Sequence, residues 1–191
     1  MHLGRVLKQR RPKVAQCPSD GSGSMDKPPL LVENLNKRYK GGVWANRDVD
    51  LTGCAGEILG IVGPNGAGKT TLVRQITTEL LPTSGSISVL GYDVVREATK
   101  VKALLGVVPQ EATPFDYLTV YQHLRIFAKL RGVTPRESGA RAERLIEDLE
   151  LVDYRDVPIR KLSGGLKRRV LVGIAPSAQP PVMVLDEPTT G

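Results

Sequence analysis

Residues 61–72, IVGPNGAGKTTL, restrict the possible folds more than any other part of this sequence. Gly63, Gly68, Lys69 and Thr70 stand in the pattern G-x-x-x-x-G-K-[ST], after an apolar run that reads as a strand and before a run of helical character. Glycine admits positive φ, so the backbone from Gly63 through Pro64, Asn65, Gly66 and Ala67 to Gly68 can curl and turn several N–H groups toward one anion. Lys69 adds a point charge and the Thr70 hydroxyl offers a ligand for Mg2+. Thr71 continues a helix start whose partial positive charge also favours phosphate. The pattern implies a nucleotide site in an α/β core.

The rest of the chain supplies such a core. The runs LLVENL (30–35), VDLT (49–52), EILGIVG (57–63), SISVLG (86–91) and LLGVVPQ (104–110) read as strands separated by turn signals such as Gly41-Gly42 and Gly53. In TVYQHLRIFAKLRG (119–132) and ESGARAERLIEDLELV (137–152) the apolar residues fall three and four apart, the spacing of helices with one buried face. VMVL (182–185) returns to strand. The expectation is an α/β domain over residues 28–191 with a helical subdomain inserted at about 111–165. At 191 residues there is room for one main domain and little more.

Residues 1–27 are expected to be a basic tail and linker. Residues 1–24 carry five basic groups (Arg5, Lys8, Arg10, Arg11, Lys13) against Asp20, more than half of the net charge of +7. The segment has no apolar stretch of signal-peptide length, and it reads as an extension, with Met25 as the alternative natural start to Met1. It carries no interleaved aromatic residues to stack bases, so no nucleic-acid partner is expected. No apolar stretch reaches the ~18 residues a membrane span needs, because prolines 176, 180 and 181 interrupt the best candidates. Cys17 and Cys54 show neither metal-site spacing nor a disulfide framework, which fits a reducing compartment.

VMVL runs into Asp186 and Glu187, two carboxylates delivered to the end of a buried strand. Taken alone they could begin a solvated loop or cap a helix. Beside a phosphate cradle they read as a metal-binding group, Asp186, and a group that polarises an attacking water, Glu187. KLSGGLKRR (161–169) then places Ser163, Gly164 and Gly165 at a second helix start, 94 residues after Lys69.

Together, the cradle, Ser163-Gly164-Gly165 and DEPTTG, in that order, resemble the ATP-binding cassette ATPases over residues 30–191, most closely the nucleotide-binding subunits of drug, polysaccharide or lipid exporters. The resemblance implies a P-loop core of that type and catalytic roles for Glu187, Lys69 and Gln110. It implies Thr70, Gln110 and Asp186 at a Mg2+ ion, with ATP as the nucleotide. Tyr39 looks like the aromatic that stacks on adenine, with Trp44 or a plain core tyrosine as alternatives. Gln110 looks like the glutamine that joins the metal site to a transport partner, or an ordinary strand-end residue. Ser163, Gly164 and Gly165 would face the ATP of a second subunit in a head-to-tail dimer. A transmembrane permease, expected on a separate chain, would hold the pair at the cytoplasmic face of the cell membrane.

Two departures from the family pattern are expected to matter. The family follows DEPTTG with a further core strand ending in a histidine that meets the γ-phosphate. Here the only histidines are His2 and His123, so the core is expected to be incomplete at its C-terminus and hydrolysis weak. Pro176 falls where the family continues the helix after the signature, so that helix is expected to stop early or bend. The competing readings are a soluble, non-transport cassette protein and a non-catalytic nucleotide-binding fragment.

Overall fold

The computed structural model describes residues 27–188. The expected basic tail thus lies outside the described residues apart from Lys27, as do Thr189, Thr190 and Gly191. The chain divides into two compact units, the first running to Ala98 and the second from Thr99.

In the first unit, β1 (Leu30–Arg38) pairs antiparallel with β2 (Trp44–Gly53) on one side and β3 (Ser84–Val89) on the other, and β3 pairs with the short β4 (Tyr92–Asp93). The β3–β4 link is a two-residue turn with Leu90 at φ 49 and Gly91 at φ 82, the twist that two-residue hairpins require. Helix α1 (Lys69–Ile76) buries Leu72, Gln75 and Ile76. Val32, Leu35, Ile87, Val89 and Val94 are buried in the same unit.

The expected strand at 57–63 does not form. Residues 57–64 carry no strand assignment, and Ile58 and Val62 are 99% and 96% exposed. A run that is apolar on both faces becomes a strand only when neighbours on both sides complete its ladders and cover it. Among the described residues this segment has no ladder partner. Cys54, expected to be an unremarkable thiol, is disulfide-bonded.

Helix α2 (Ala98–Leu104) begins on the last residue of the first unit, and the second unit holds the rest of it with β5 (Leu105–Val108), α3 (Val120–Leu130), α4 (Pro135–Asp148), α5 (Gly164–Val172) and β6 (Val182–Leu185). β5 and β6 run parallel, with Leu105 opposite Val182 and Val108 opposite Leu185. Helix α3 begins in a capping box: Thr119 Oγ1 accepts from the Gln122 amide, and Gln122 Oε1 accepts from the Thr119 amide. Helix α4 begins with Thr134 as cap, Pro135 in its first turn and Glu137 at the positive end of its dipole. Val120, Leu124, Ala142, Ile146, Leu151, Ile159, Leu162 and Val170 form the core these helices share. Helix α5 ends at Val172, and Pro176 lies in the first turn of a separate 3-10 turn, Ala175–Ala178. The early stop is realised. Gly106 explains how this turn can lie over β5: a Cβ there would stand 2.4 Å from the Ala175 carbonyl oxygen and 2.5 Å from the Pro180 ring.

Candidate functional site

In the first unit, residues 63–68 form the loop into α1. Gly66 and Gly68 take φ of 79 and 87, the left-handed region that side chains disfavour. At Gly68 there is no room either: a Cβ would lie 2.0 Å from the Ala45 carbonyl oxygen. Because Gly68 is also the N-cap and has no side chain to accept a bond, the first amides of α1 keep no capping partner. That is the geometry in which a helix start takes an anion. Lys69 Nζ donates to the carbonyls of Gly63 at 2.8 Å and Pro64 at 3.1 Å, which folds the ammonium over the loop.

Two residues that the sequence reading missed hold this loop from behind. Asn46 Nδ2 donates to the Gly68 carbonyl at 3.1 Å, and Asn46 Oδ1 accepts from Gln75 Nε2 at 2.8 Å. Gln75 Nε2 also donates to the Thr71 carbonyl at 3.1 Å. Asn46 is 7% exposed and Gln75 fully buried, so the relay is shielded from competing water. A signal was present in the sequence. Gln75 stands three residues after Leu72 on the face of α1 that helical periodicity reserves for apolar residues.

Of the two aromatic candidates, Tyr39 is the one that reaches the first turn of α1: its hydroxyl is 3.5 Å from Thr71 Oγ1. At 44% exposure it is not a core tyrosine. Trp44, equally exposed, is flanked instead by the guanidinium groups of Arg38 and Arg47 at 5.3 and 5.6 Å from its ring centre.

The second unit carries the acidic pair. The Asp186 amide continues the ladder by donating to the Val108 carbonyl at 3.0 Å, and Asp186 is buried. Gln110, two residues beyond β5, donates from Nε2 to Glu187 Oε2 at 2.9 Å, so the structure brings together two residues 77 apart in sequence. Arg168, another residue not foreseen, reaches the same turn from α5. Ser163 caps α5, its Oγ accepting from the Leu166 amide at 3.4 Å, and Gly164 and Gly165 have open space where a Cβ would stand. His123 is not a surface residue of its helix. It is buried between the rings of Phe115 and Phe127, and burial lowers its pKa to about 4.

In the first unit the uncapped helix start and the folded Lys69 ammonium suit phosphate oxygens, and the Thr70 hydroxyl is a hard oxygen donor of the type Mg2+ takes. In the second unit the Asp186 carboxylate is a donor of the same type. Among the described residues no cluster of three or more His, Cys, Asp or Glu side chains is present that could hold a metal.

A family model described as ABC transporter matches residues 46–190. The daunorubicin resistance ATP-binding protein DrrA3 of Streptomyces coeruleorubidus is 41% identical over 162 residues, spanning 85% of this chain and 51% of its own length. The phospholipid-transporting ATPase ABCA3 of Rattus norvegicus is 39% identical over 165 residues, 85% of this chain and 10% of that protein. The chain therefore spans about half the length of the first relative and a tenth of the second. The dimeric structure of a post-hydrolysis state of the ATP-binding cassette MJ0796, bound to ADP and Pi, superposes with a TM-score of 0.74 at 27% identity, covering 84% of this chain and 74% of that one.

Proposed function

We propose, from the premise that this chain belongs to the ABC transporter family and has the α/β P-loop fold of its ATP-binding domains, that it binds Mg-ATP and hydrolyses it to drive export through a membrane partner. The observation that carries the reading is the loop at 63–69, where left-handed glycines and an uncapped helix start surround the Lys69 ammonium.

Each residue has a role by its chemistry. Gly63, Pro64, Asn65, Gly66, Ala67 and Gly68 present amides to the phosphates, Lys69 neutralises the outer ones, and Thr70 and Thr71 follow at the helix start. Tyr39, beside Thr71, stacks on adenine. When bound, Mg2+ draws charge from the phosphate oxygens; Thr70, Asp186 and Gln110 are the residues that would hold it and its water. Glu187 takes a proton from the attacking water, with Gln110 orienting its carboxylate. Ser163, Gly164 and Gly165, at the open start of α5, meet the nucleotide of a second subunit in a head-to-tail dimer. No helix among the described residues is long and apolar enough to cross a membrane; the partner in this reading is a transmembrane permease. Export is the direction suggested by relatives named for drug resistance and phospholipid transport. The ATP-binding domain in this reading runs from 28 onward with its helical part at about 111–165.

Equilibrium binding of labelled ATP with Mg2+, to the chain and to Lys69→Ala, tests the reading. The substitution should weaken binding at least about tenfold; equal binding, or none by the parent chain, would sink it.

A further inference from the structure

Arg168 lies on α5 at 9% exposure, where a guanidinium must find acceptors for its donors or be expelled. Its acceptors are three successive carbonyl oxygens. Nη2 donates to Asp186 O at 2.9 Å and Glu187 O at 2.6 Å, and Nε donates to Pro188 O at 3.2 Å. No local rule makes an arginine on a helix seek carbonyls 18 to 20 residues away. What these carbonyls have in common is a turn that the chain does not favour.

Glu187 has φ 47, left-handed for a residue with a side chain. It also precedes Pro188, whose ring excludes the right-handed helical region for the residue before it. Released, Glu187 would relax toward extended backbone, and its carboxylate would swing away from Gln110 Nε2. The turn is held from two sides. Gln110 fixes the carboxylate from two residues beyond β5, and Arg168 fixes the peptide groups from α5.

We propose that Arg168 is a positioning residue: by binding the Asp186, Glu187 and Pro188 carbonyls it keeps Glu187 left-handed and its carboxylate aimed for hydrolysis. This rests on the reading that Glu187 activates water. The three acceptors diverge, and a planar fork can meet them together where a lysine can reach only part of the set.

The test uses Arg168→Met and Arg168→Lys in the full polypeptide, with three readouts: amide hydrogen exchange at Asp186 and Glu187, Mg-ATP affinity and turnover. For Arg168→Met, exchange at the turn should rise and kcat fall, each at least about tenfold, with ATP affinity within about twofold of the parent. Arg168→Lys should fall between, and it decides the question if the methionine variant does not fold. Parent-like exchange and turnover would overturn the proposal. So would a parallel loss of affinity, turnover and thermal stability, which would mark a merely structural residue. If the parent shows no turnover, the hydrolytic reading fails, and exchange at the turn still decides the clamp.

Discussion

The relay behind the phosphate loop allows a prediction worked from its bonds. Asn46→Leu removes the bonds to the Gly68 carbonyl and from Gln75 Nε2, each worth about 0.5–1.5 kcal/mol net. Neither partner is left bare. The Gly68 carbonyl keeps the Leu72 amide at 2.9 Å, and Gln75 Nε2 keeps the Thr71 carbonyl at 3.1 Å. The loss should therefore be about 2 kcal/mol. Gln75→Met loses the shared bond and the one to the Thr71 carbonyl and strands Asn46 Oδ1, but it also deletes Gln75 Oε1, a buried oxygen with no partner, and should cost about 1–2 kcal/mol. In the double variant the shared bond is lost once rather than twice, and apolar side chains face each other across the gap. Its destabilisation should fall short of the sum by about 1–2 kcal/mol. Urea unfolding followed by tryptophan fluorescence reads this unit directly, because Trp44 is the only tryptophan in the chain and lies in β2 two residues from Asn46. Losses that add within about 0.3 kcal/mol would refute the relay as a coupled pair.

Two further outcomes follow from particular positions. Gly66→Ala and Gly68→Ala both force alanine into left-handed backbone at about 1–2 kcal/mol, but only the second drives a Cβ against the Ala45 carbonyl. Thermal melts should show a clearly larger loss for Gly68→Ala, and equal losses would contradict the packing at Ala45. His123, with its pKa lowered to about 4 from the ordinary 6.5 by burial, binds its proton more readily in the unfolded chain. Its stability contribution is thus complete above pH ~6.5 and lost progressively as pH falls through that value toward 4, a change of about 3 kcal/mol. His123→Phe should flatten the dependence of melting temperature on pH between 7 and 4.5, and an unchanged slope would refute the assignment.

Several elements were legible because their signals are local. The left-handed loop before α1 follows from glycine stereochemistry; α3 and α4 follow from helical periodicity with caps at Thr119 and Thr134. The break at Pro176 follows from its missing N–H. What escaped was non-local. The run at 57–63 has the composition of a buried strand, yet composition cannot provide the neighbouring ladders, and Ile58 and Val62 stand exposed. Asn46 and Arg168 show no pattern of their own, since each takes its meaning from carbonyls about 20 residues away.

Those two residues and Lys69 answer one physical problem. A loop that turns its amides toward an anion turns carbonyls elsewhere, and each carbonyl needs a donor. Gly63 and Pro64 are served by Lys69, Gly68 by Asn46, and the Asp186–Pro188 turn by Arg168. The choice of side chain follows from what each must still do. Arg168 serves backbone carbonyls and Asn46 a backbone carbonyl and the Gln75 amide, and a buried planar fork or amide suits that. Lys69 has three donors, and two are engaged at 2.8 and 3.1 Å with loop carbonyls, so one proton remains for a phosphate oxygen without unmaking the loop. A phosphate oxygen that took that proton would leave the contacts that shape the loop unbroken.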